Sequence, residues 1–481
     1  MTTIPVKTVC TAVCGEVCGN PDSAISGVST DTRRLAQGDV FFALSAQRDG
    51  HEFVRQAFKL GAAAAVVSRP VAVPAGKTAI LVKDTLTALG DFARWYRLNM
   101  QAEVVGITGS NGKTTTKEML GCILSGAAPT VKSKDSFNNA IGVPHTLFCI
   151  EPADRYAVVE IGTNHHGEIR RLADIARPVV GIVTNISATH LEGLGTIKGV
   201  AEEKAALVEA LPSGGVAVLN ADDFRCRSFA DRTAARVVTF GLKENADIRG
   251  TNVRASGHTT YFTALGLEFS LPAAGRHNVS NALAAIAAAT ALGVGPELIR
   301  ERLAALHMPP MRMQMMQVGG ITVCNDAYNA NFESMLAALV EYSQMLSPGR
   351  KVVVCGDMLE MGDRSVAVHQ EIGRRIAQGK FDLLVAIGGE SMHTATAAAA
   401  GGMPENRITH CMTTVEAGKL LPRLLERRDT LLLKASRRIA LDSLLGPLAD
   451  WQAAGLPADA ATVDGIYHTS RTPATIEGVR A

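Results

Sequence analysis

The stretch from residue 104 to residue 116 constrains the fold of this chain more than any other part of the sequence. It reads Val-Val-Gly-Ile-Thr-Gly-Ser-Asn-Gly-Lys-Thr-Thr-Thr, so an apolar run enters a glycine-containing loop and then a stretch with Lys113 and Thr114. A strand, such a loop and a following helix are typical of α/β folds in which backbone N–H groups surround a phosphate. The sequence therefore predicts a phosphate-binding loop at the edge of a parallel sheet.

This loop differs from the common G-x-x-x-x-G-K-[ST] pattern, because Ile107 stands where the first glycine is expected. The shorter pattern is rarer and therefore narrows the candidates; a glycine turn with a chance Lys-Thr is the weaker alternative. We expect Lys113 to supply a point charge and Thr114 a hydroxyl for Mg²⁺, with ATP as the ligand. The predicted nucleotide-binding residues are Gly109, Ser110, Asn111, Gly112, Lys113, Thr114 and Thr115.

Composition indicates an ordinary globular protein. With 481 residues, 47% of them hydrophobic, the chain is long enough for about three domains. A net charge of +2 gives no reason to expect a nucleic-acid partner or an anionic membrane surface. No apolar run reaches the roughly 18 residues of a membrane span, and the N-terminus lacks the apolar core of a signal peptide. We therefore expect a cytoplasmic protein. Separately, we expect a monomer.

Three of the nine cysteines, Cys10, Cys14 and Cys18, are spaced four residues apart. That spacing fits a metal cluster, but it equally places three small apolar side chains on one helix face. We favour the helix face, with reduced cysteines throughout.

Alternating apolar strands and helical stretches predict an α/β protein of three domains. A small N-terminal α/β domain covers residues 1–100, a central parallel-sheet ATPase domain covers 101–308, and a C-terminal Rossmann-like domain covers 309–455. Residues 456–481 lack an apolar period, which predicts a mobile tail.

Polar side chains follow two predicted strands of the central domain. Glu160 ends one strand, Thr184 and Asn185 end another, and His190 comes shortly afterwards. The carboxyl ends of parallel strands meet at one sheet edge, where a carboxylate can hold Mg²⁺ against phosphates. Taken alone, Glu160 could instead cap a helix, and His190 could be an ordinary surface histidine. Lys204 follows His190 in a predicted helical stretch, and taken alone it would be interpreted as a solvated helix residue.

Two polar loops of the first domain could meet a polar ligand, although solvated turns explain them nearly as well. They span residues 29–34 and 47–51.

Four motifs together resemble the bacterial Mur ligases, ATP-dependent enzymes that build the peptide of the cell-wall precursor. They are residues 108–115, 138–144, 160–165 and 190–193, the last followed by Lys204 at the family's spacing. The resemblance covers about residues 25–450. It implies two Mg²⁺ ions. It also implies that Lys204 is carbamylated and becomes an Mg²⁺ ligand together with Thr114, Glu160 and His190.

Within the family, three stretches favour the activity that adds D-alanyl-D-alanine to UDP-N-acetylmuramoyl-tripeptide through an acyl phosphate. They are residues 30–44, 326–335 and 356–362, and the Asp-Asn-Pro motif expected of a diamino-acid-adding relative is absent. Two alternatives stay open: a folylpolyglutamate-synthase-like ligase, which shares the loop and the lysine, and a phosphate-loop switch that hydrolyses ATP alone.

The resemblance also implies roles for individual residues and a third domain that closes on ATP, with hinges near residues 100 and 308. Adenine would lie near Asn278 and Asn281, the ribose near Asp326 and the γ-phosphate near Arg312. The implied substrate-binding residues are Ser29, Thr30, Thr32, Arg33, Asp49 and His51 for the UDP-sugar, Asn138 and Asn139 in the central domain, and Asn329, Asn331, Ser436 and Arg437 for the dipeptide.

Overall fold

A computed structural model describes residues 1–45, 48–243, 245–257 and 259–453 of the chain. Sheets alternate with helices along the whole described length, so the predicted α/β class is confirmed. The tail expected at residues 456–481 lies outside the described residues. None of the described helices combines the length and the apolar run that crossing a membrane requires.

The N-terminal segment, residues 1–100, contains a five-stranded sheet with the order β2-β7-β6-β5-β4 and a two-stranded pair β1-β3. Strands β4 to β7 are parallel, and β2 lies antiparallel on the edge. The elements are β1 Ile4–Pro5, α1 Val6–Ala12, β2 Glu16–Gly19, β3 Ala24–Ile25, β4 Gly27–Ser29, β5 Asp39–Phe42, a 3-10 turn Gly50–Phe53, α2 Val54–Lys59, β6 Ala64–Val67, β7 Thr78–Leu81 and α3 Thr85–Leu98.

The expected cysteine face is wrong. Helix α1 ends at Ala12, Cys14 adopts a left-handed backbone with φ 50°, and Cys18 lies in β2. The chain turns after Ala12 because β2 pairs with β7, so the three cysteines never share a helix. No metal cluster is formed by cysteines in the described part of the chain, where all nine are free.

The central segment, residues 101–308, carries a parallel seven-stranded sheet with the order β14-β13-β12-β11-β8-β10-β9 and an antiparallel sheet β15-β16-β17. Strand β8 lies between β10 and β11, so their carboxyl ends are adjacent. The elements are β8 Glu103–Thr108, α4 Lys113–Ala127, β9 Thr130–Lys132, α5 Gly142–Phe148, β10 Tyr156–Glu160, α6 Glu168–Ala176, β11 Val180–Val183, α7 Leu191–Leu194, α8 Ile197–Glu209, β12 Val216–Asn220, α9 Phe224–Arg227, a 3-10 turn Ser228–Arg232, β13 Arg236–Gly241, β14 Ile248–Arg249, β15 Thr251–Ser256, β16 Thr259–Ala264, β17 Leu267–Leu271, α10 Arg276–Ala291 and α11 Pro296–Ala304.

The C-terminal segment, residues 309–453, contains a six-stranded sheet with the order β18-β19-β23-β20-β21-β22. All neighbours are parallel except β18 and β19. The elements are β18 Gln314–Val318, β19 Ile321–Asn325, α12 Phe332–Gln344, β20 Lys351–Gly356, a 3-10 turn Gly362–Arg364, α13 Ser365–Gln378, β21 Leu383–Ile387, α14 Ser391–Ala400, a 3-10 turn Glu405–Arg407, β22 Ile408–Cys411, α15 Thr414–Leu424, β23 Thr430–Lys434, 3-10 turns Arg437–Ile439 and Leu441–Leu444, and α16 Leu445–Ala453.

The hydrophobic cores do not divide evenly among the three segments. One buried cluster contains residues of both the N-terminal and the central segment, whereas the clusters of the C-terminal segment begin at Met313. Across the first junction, the rings of Phe92 and Phe148 lie 5.3 Å apart, and Tyr96 Oη donates to the carbonyl of Ile150 at 2.7 Å. The first two segments are therefore joined by apolar packing.

Candidate active site

The loop between β8 and α4 leaves no room for a side chain at either of its two glycines. Gly109 and Gly112 have φ 146° and 83°. A Cβ atom on Gly109 would lie 1.9 Å from Thr184 Oγ1, and one on Gly112 would lie 2.1 Å from Asn281 Oδ1. Both positions therefore require glycine. The loop leads directly into α4, whose first N–H groups have no acceptor within the helix.

Residues that follow β11 fix the loop from the neighbouring strand. Asn185 accepts two N–H groups, that of Ser110 at its carbonyl (2.9 Å) and that of Asn111 at its Oδ1 (3.0 Å). Thr184 Oγ1 donates to the carbonyl of Asn111 at 2.5 Å. Ser110 Oγ in turn donates to the carbonyl of Ser187 at 3.1 Å. The loop is thus held in place by hydrogen bonds across the sheet edge.

Lys113 folds back over the loop that it follows. Its Nζ donates to the carbonyl of Gly109 at 2.8 Å. Burial lowers the pKa of Lys113, the carboxylate of Glu160 raises it in part, and the charge of Arg312 lowers it further. An anion bound at the loop would stabilise the charged form of Lys113 and so raise its pKa again.

Glu160 offers an unsatisfied oxygen close to these groups. It ends β10 with 1% of its surface exposed. Its Oε1 accepts from Asn138 Nδ2 at 2.8 Å, while its Oε2 is buried without a hydrogen-bond partner. A buried carboxylate oxygen without a partner is costly and indicates a missing ligand.

The donor set fits Mg²⁺. Within the described ranges, no three His, Cys, Asp or Glu side chains are grouped as a complete metal cage. Mg²⁺ does not need one, because it is usually held by one or two carboxylates together with phosphates and water. Two oxygen atoms could serve as ligands here. One is the unpartnered Oε2 of Glu160, and the other is the hydroxyl of Thr114, whose Oγ1 lies 3.2 Å from Ser136 Oγ.

Lys204 is buried in α8 with 1% of its surface exposed. Burial sets the pKa of Lys204 well below its ordinary value, and the charge of Lys113 lowers it further. The side chain is thus biased towards the neutral amine. The neighbouring Glu203 accepts the N–H groups of Gly167 and Ile169, each at 2.7 Å, and so binds the start of α6.

Three polar contacts join the C-terminal segment to the central segment. Arg312 Nη2 donates to Thr114 Oγ1 at 2.8 Å, and Asn331 Nδ2 donates to Asn111 Oδ1 at 2.7 Å. The third joins His190 to Glu360: the histidine Nδ1 lies 2.8 Å from a carboxylate oxygen. The Arg312 guanidinium also stacks 4.2 Å above the ring of Tyr328.

Several residues predicted from the resemblance are held by other residues of the C-terminal segment. Asp326 Oδ2 lies 2.5 Å from Lys434 Nζ, which also donates to the carbonyl of Asn329 at 3.2 Å. Ser436 Oγ accepts the N–H of Leu359 at 2.8 Å. Arg437 pairs with Asp442 at 2.8 Å.

The start of α10 completes the wall beside the loop. Asn281 Nδ2 donates to Asn278 Oδ1 at 3.3 Å, and Asn278 Nδ2 donates to the carbonyl of Ala274 at 2.7 Å. Burial lowers the pKa of the adjacent His277, which favours its neutral form.

A cavity of about 1010 Å³ lies between the central and C-terminal segments. It collects most of the predicted residues. Its walls include Ser110, Asn111, Gly112, Lys113, Thr114, Thr115, Asn138, Asn139, Glu160, His190, Asn278, Asn281, Arg312, Asp326, Asn329, Asn331, Ser436 and Arg437.

Gly109, Lys204 and the predicted residues of the first segment do not line this cavity. The loop residues of the first segment instead contact one another or the central segment. Thr30 Oγ1 lies 3.0 Å from His145 Nε2, and Asp31 pairs with Arg33 at 2.8 Å. His51 Nδ1 lies 2.6 Å from Asp49 Oδ1.

Some wall residues were not predicted from the sequence. Glu360 lies within the motif at residues 356–362, and His277 lies at the polar start of α10, so the sequence held a signal that could have identified both. The sequence held no such signal for Lys434. This lysine ends the buried strand β23, and its importance shows only in the structure, where it pairs with Asp326. Arg171 also lines the cavity and pairs with Asp91 of α3 at 2.6 Å.

Comparison with known proteins places these features in a family. Three family models match successive parts of the chain: "Mur ligase family, catalytic domain" at residues 24–97, "Mur ligase middle domain" at 107–289, and "Mur ligase, glutamate ligase domain" at 311–437. The UDP-N-acetylmuramoyl-tripeptide–D-alanyl-D-alanine ligase of Escherichia coli K12 is 36% identical over 447 residues, which cover 91% of this chain and 96% of the relative.

Two solved structures are similar over nearly their whole length. Crystal structure I of MurF from Acinetobacter baumannii has a TM-score of 0.86 and 32% identity, covering 94% of this chain and 99% of that one. MurF ligase from Thermotoga maritima, solved in complex with ADP, has a TM-score of 0.78 and 26% identity, covering 89% and 98%. The chain belongs to the Mur ligase family, as its motifs predicted.

Proposed function

We propose that this protein is an ATP-dependent ligase that adds D-alanyl-D-alanine to UDP-N-acetylmuramoyl-tripeptide during synthesis of the peptidoglycan precursor. One observation carries the proposal: the phosphate loop and the C-terminal segment form opposite walls of one cavity. A ligase must bring a phosphoryl donor, a carboxylate and an amine together, and a shared cavity suits that task. The Escherichia coli relative bears this activity in its name.

The chemical problem is that a peptide carboxylate is a poor electrophile. Transfer of the γ-phosphoryl group of ATP would convert it into an acyl phosphate, and attack by the dipeptide amine would then form the amide and release phosphate. Lys113 and Arg312 would bind phosphoryl oxygens, and their contacts with the loop support this role. Asn278, Asn281 and Asp326 would bind the nucleoside.

Mg²⁺ would be held by Thr114, Glu160, His190 and a carbamylated Lys204, and when bound it would neutralise charge on the phosphates. The unpartnered oxygen of Glu160 supports this assignment. The lowered pKa of Lys204 supports carbamylation, because only a neutral amine can add to CO₂. A carbamate would also turn a repelled cation into an anion beside the metal.

The two peptide substrates would approach from different segments. Asn329, Asn331, Ser436 and Arg437 would bind the dipeptide, and Asn138 and Asn139 would lie along the tripeptide. We infer that the first segment binds the UDP-sugar through Ser29, Thr30, Thr32, Arg33, Asp49 and His51. Closure of the C-terminal segment would exclude water, which would otherwise hydrolyse the acyl phosphate.

We infer that the protein works as a monomer. We further infer a cytoplasmic location, since ATP and UDP-linked precursors are available there. Residues 1–100, 101–308 and 309–455 are our proposed domains.

The test is phosphate release from ATP with each peptide substrate alone and with both together, alongside mass analysis of the product. Release that requires both substrates, together with a product enlarged by one dipeptide, is expected. Equal hydrolysis without either substrate would identify a phosphate-loop switch instead. Ligation of glutamate to a folate would identify the folylpolyglutamate-type alternative. Lys113→Ala should abolish the reaction, while Lys134→Ala, at an exposed lysine outside the loop, serves as its matched control.

A further inference from the structure

The loop after β20 carried part of the family resemblance but has received no role in the reaction. It brings Leu359, Glu360 and Met361 to the wall of the cavity. The loop is anchored at two points: the N–H of Met358 donates to His369 Nε2 at 3.0 Å, and the N–H of Leu359 donates to Ser436 Oγ at 2.8 Å. The backbone next to Glu360 is therefore held in place by hydrogen bonds.

Glu360 reaches across the cavity to the central segment. One of its carboxylate oxygens lies 2.8 Å from Nδ1 of His190. Both residues have left-handed backbones, with φ 65° for Glu360 and 54° for His190. Non-glycine residues rarely adopt this conformation, and such strain concentrates at functional sites.

We propose that Glu360 is a positioning residue for His190: it accepts the Nδ1–H and so keeps Nε2 as the unprotonated ring nitrogen that can bind metal. This inference rests on the proposed function, in which His190 is a ligand of Mg²⁺. Histidines that bind metal commonly donate their other ring N–H to a carboxylate, which fixes the ring and its tautomer.

Glu360 and His190 belong to different segments, so their contact depends on how those segments lie against each other. His190 follows β11 of the central segment, whereas Glu360 follows β20 of the C-terminal segment. The tautomer of His190 is therefore set only while the C-terminal segment lies against the central one. Metal affinity becomes coupled to closure of the cavity.

The tautomer can be read directly in the full-length protein without metal or substrates. Proton–nitrogen correlation spectra of ¹⁵N-histidine-labelled protein at about pH 8, where imidazoles are mostly neutral, distinguish Nδ1–H from Nε2–H forms. His190 should be Nδ1–H in the wild type, and its signal should be assigned with His190→Ala. Glu360→Ala should convert it to the Nε2–H form or a mixture.

Two variants supply the controls for that measurement. Glu360→Gln retains an oxygen that can accept the Nδ1–H, so it should preserve the tautomer. Asp363→Asn changes an exposed carboxylate three residues further along the same loop and should leave the spectrum unchanged. Circular dichroism would verify that each variant is folded.

The second readout is binding of Mn²⁺ in the presence of ADP, measured by electron paramagnetic resonance. Glu360→Ala should weaken Mn²⁺ binding about 10- to 100-fold, the range found when partners of metal ligands are removed. Glu360→Gln should bind nearly as well as the wild type. A Glu360→Ala, His190→Ala double variant should be no weaker than His190→Ala alone, because Glu360 acts through the histidine.

An unchanged His190 tautomer in Glu360→Ala, or unchanged Mn²⁺ affinity, would overturn this inference. Loss of turnover in all Glu360 variants with normal Mn²⁺ binding would also overturn it and assign the carboxylate to proton transfer. Neither measurement uses the peptide substrates. An inactive wild type with the expected tautomer and metal binding would therefore refute the proposed function and not this contact.

Discussion

Asn331 uses both ends of its side-chain amide to join two segments of the chain. Its Nδ2 donates to Asn111 Oδ1 in the phosphate loop at 2.7 Å, while its Oδ1 accepts the N–H of Ser334 at 2.9 Å and caps α12. Only 8% of its surface is exposed. The start of a helix in the C-terminal segment is thereby held against the loop that we propose for ATP.

These two functions of Asn331 can be separated by substitution. Serine is also a good N-cap but lacks the amide, so Asn331→Ser should keep the free energy of unfolding near the wild-type value. Loss of the hydrogen bond to Asn111 should cost about 1 kcal/mol of the closed state, seen as a roughly five-fold higher KM for ATP, a substrate that Asn331 is not proposed to contact. Asn331→Ala should additionally lose about 1 kcal/mol of stability in urea unfolding. Equal KM values in Asn331→Ser and the wild type would show that the contact does not bear on closure.

Arg312 contacts Thr114 and stacks on Tyr328, so both partners contribute to placing its charge. Arg312→Ala should reduce kcat about 100-fold, because a charge that stabilises the transition state in a site with little water is worth about 3 kcal/mol. Tyr328→Phe keeps the ring and should resemble the wild type, whereas Tyr328→Ala should lose a few-fold. Steady-state kinetics with varied ATP measures each. A wild-type kcat in Arg312→Ala would remove this residue from the reaction.

Gly112→Ala should destroy the phosphate loop. Gly112 has φ 83°, and an added Cβ would lie 2.1 Å from Asn281 Oδ1. Gly76→Ala is a matched control, since Gly76 has φ 76° and nothing within 4 Å of an added Cβ. The control should lose about 1–2 kcal/mol of stability for the left-handed backbone. Gly112→Ala should lose more and should not bind ATP in calorimetric titration; matching behaviour of the two variants would contradict the packing described here.

Lys204→Ala should be nearly inactive, with partial recovery on addition of formate or acetate, because a small carboxylate can occupy the place of the carbamate. Mass analysis of the folded protein should detect one added CO₂, lost on denaturation in acid. Lys198→Ala changes an exposed lysine of the same helix and should keep full activity. Full activity of Lys204→Ala would refute the carbamate.

Asp49 should stabilise the N-terminal segment in a pH-dependent way. Its pKa is lowered from 3.8 to about 2, chiefly by the N–H and ring of His51 and also by the charge of Arg69. A carboxylate whose pKa falls on folding stabilises the protein above its ordinary pKa, and that contribution is lost as the pH falls towards 2. The melting temperature of Asp49→Asn should therefore lie below that of the wild type at neutral pH, and the difference should shrink below about pH 4. A difference that is independent of pH would contradict this origin, and exposed Asp22→Asn is the control.

Local sequence predicted much of the fold because buried strands of a parallel sheet are short apolar runs. The apolar runs at residues 103–108, 216–220, 321–325 and 351–356 each form a strand of a parallel or mostly parallel sheet. The antiparallel sheet β15-β16-β17 was not predicted: β15 is mostly exposed, so its side chains carry no apolar signal. Strand β18 is likewise only partly buried at the sheet edge.

The site was predictable to the extent that it depends on single motifs. The loop, Glu160 and His190 follow strand ends, and the topology brings those ends together. Contacts such as Asn331 with Asn111 were not predictable, because they join residues that are 220 positions apart in the chain and lie on different sheets.

The apolar cluster that unites the N-terminal and central segments has a consequence for how the molecule comes apart. Rings such as Phe92 and Phe148 would have to be exposed to water if the chain flexed near residue 100, whereas the contacts named across the second junction are hydrogen bonds and ion pairs that water can replace. Residues 1–308 are thus expected to melt as one cooperative unit and the remainder as another. Substrates that fill the cavity between them would make the two transitions merge.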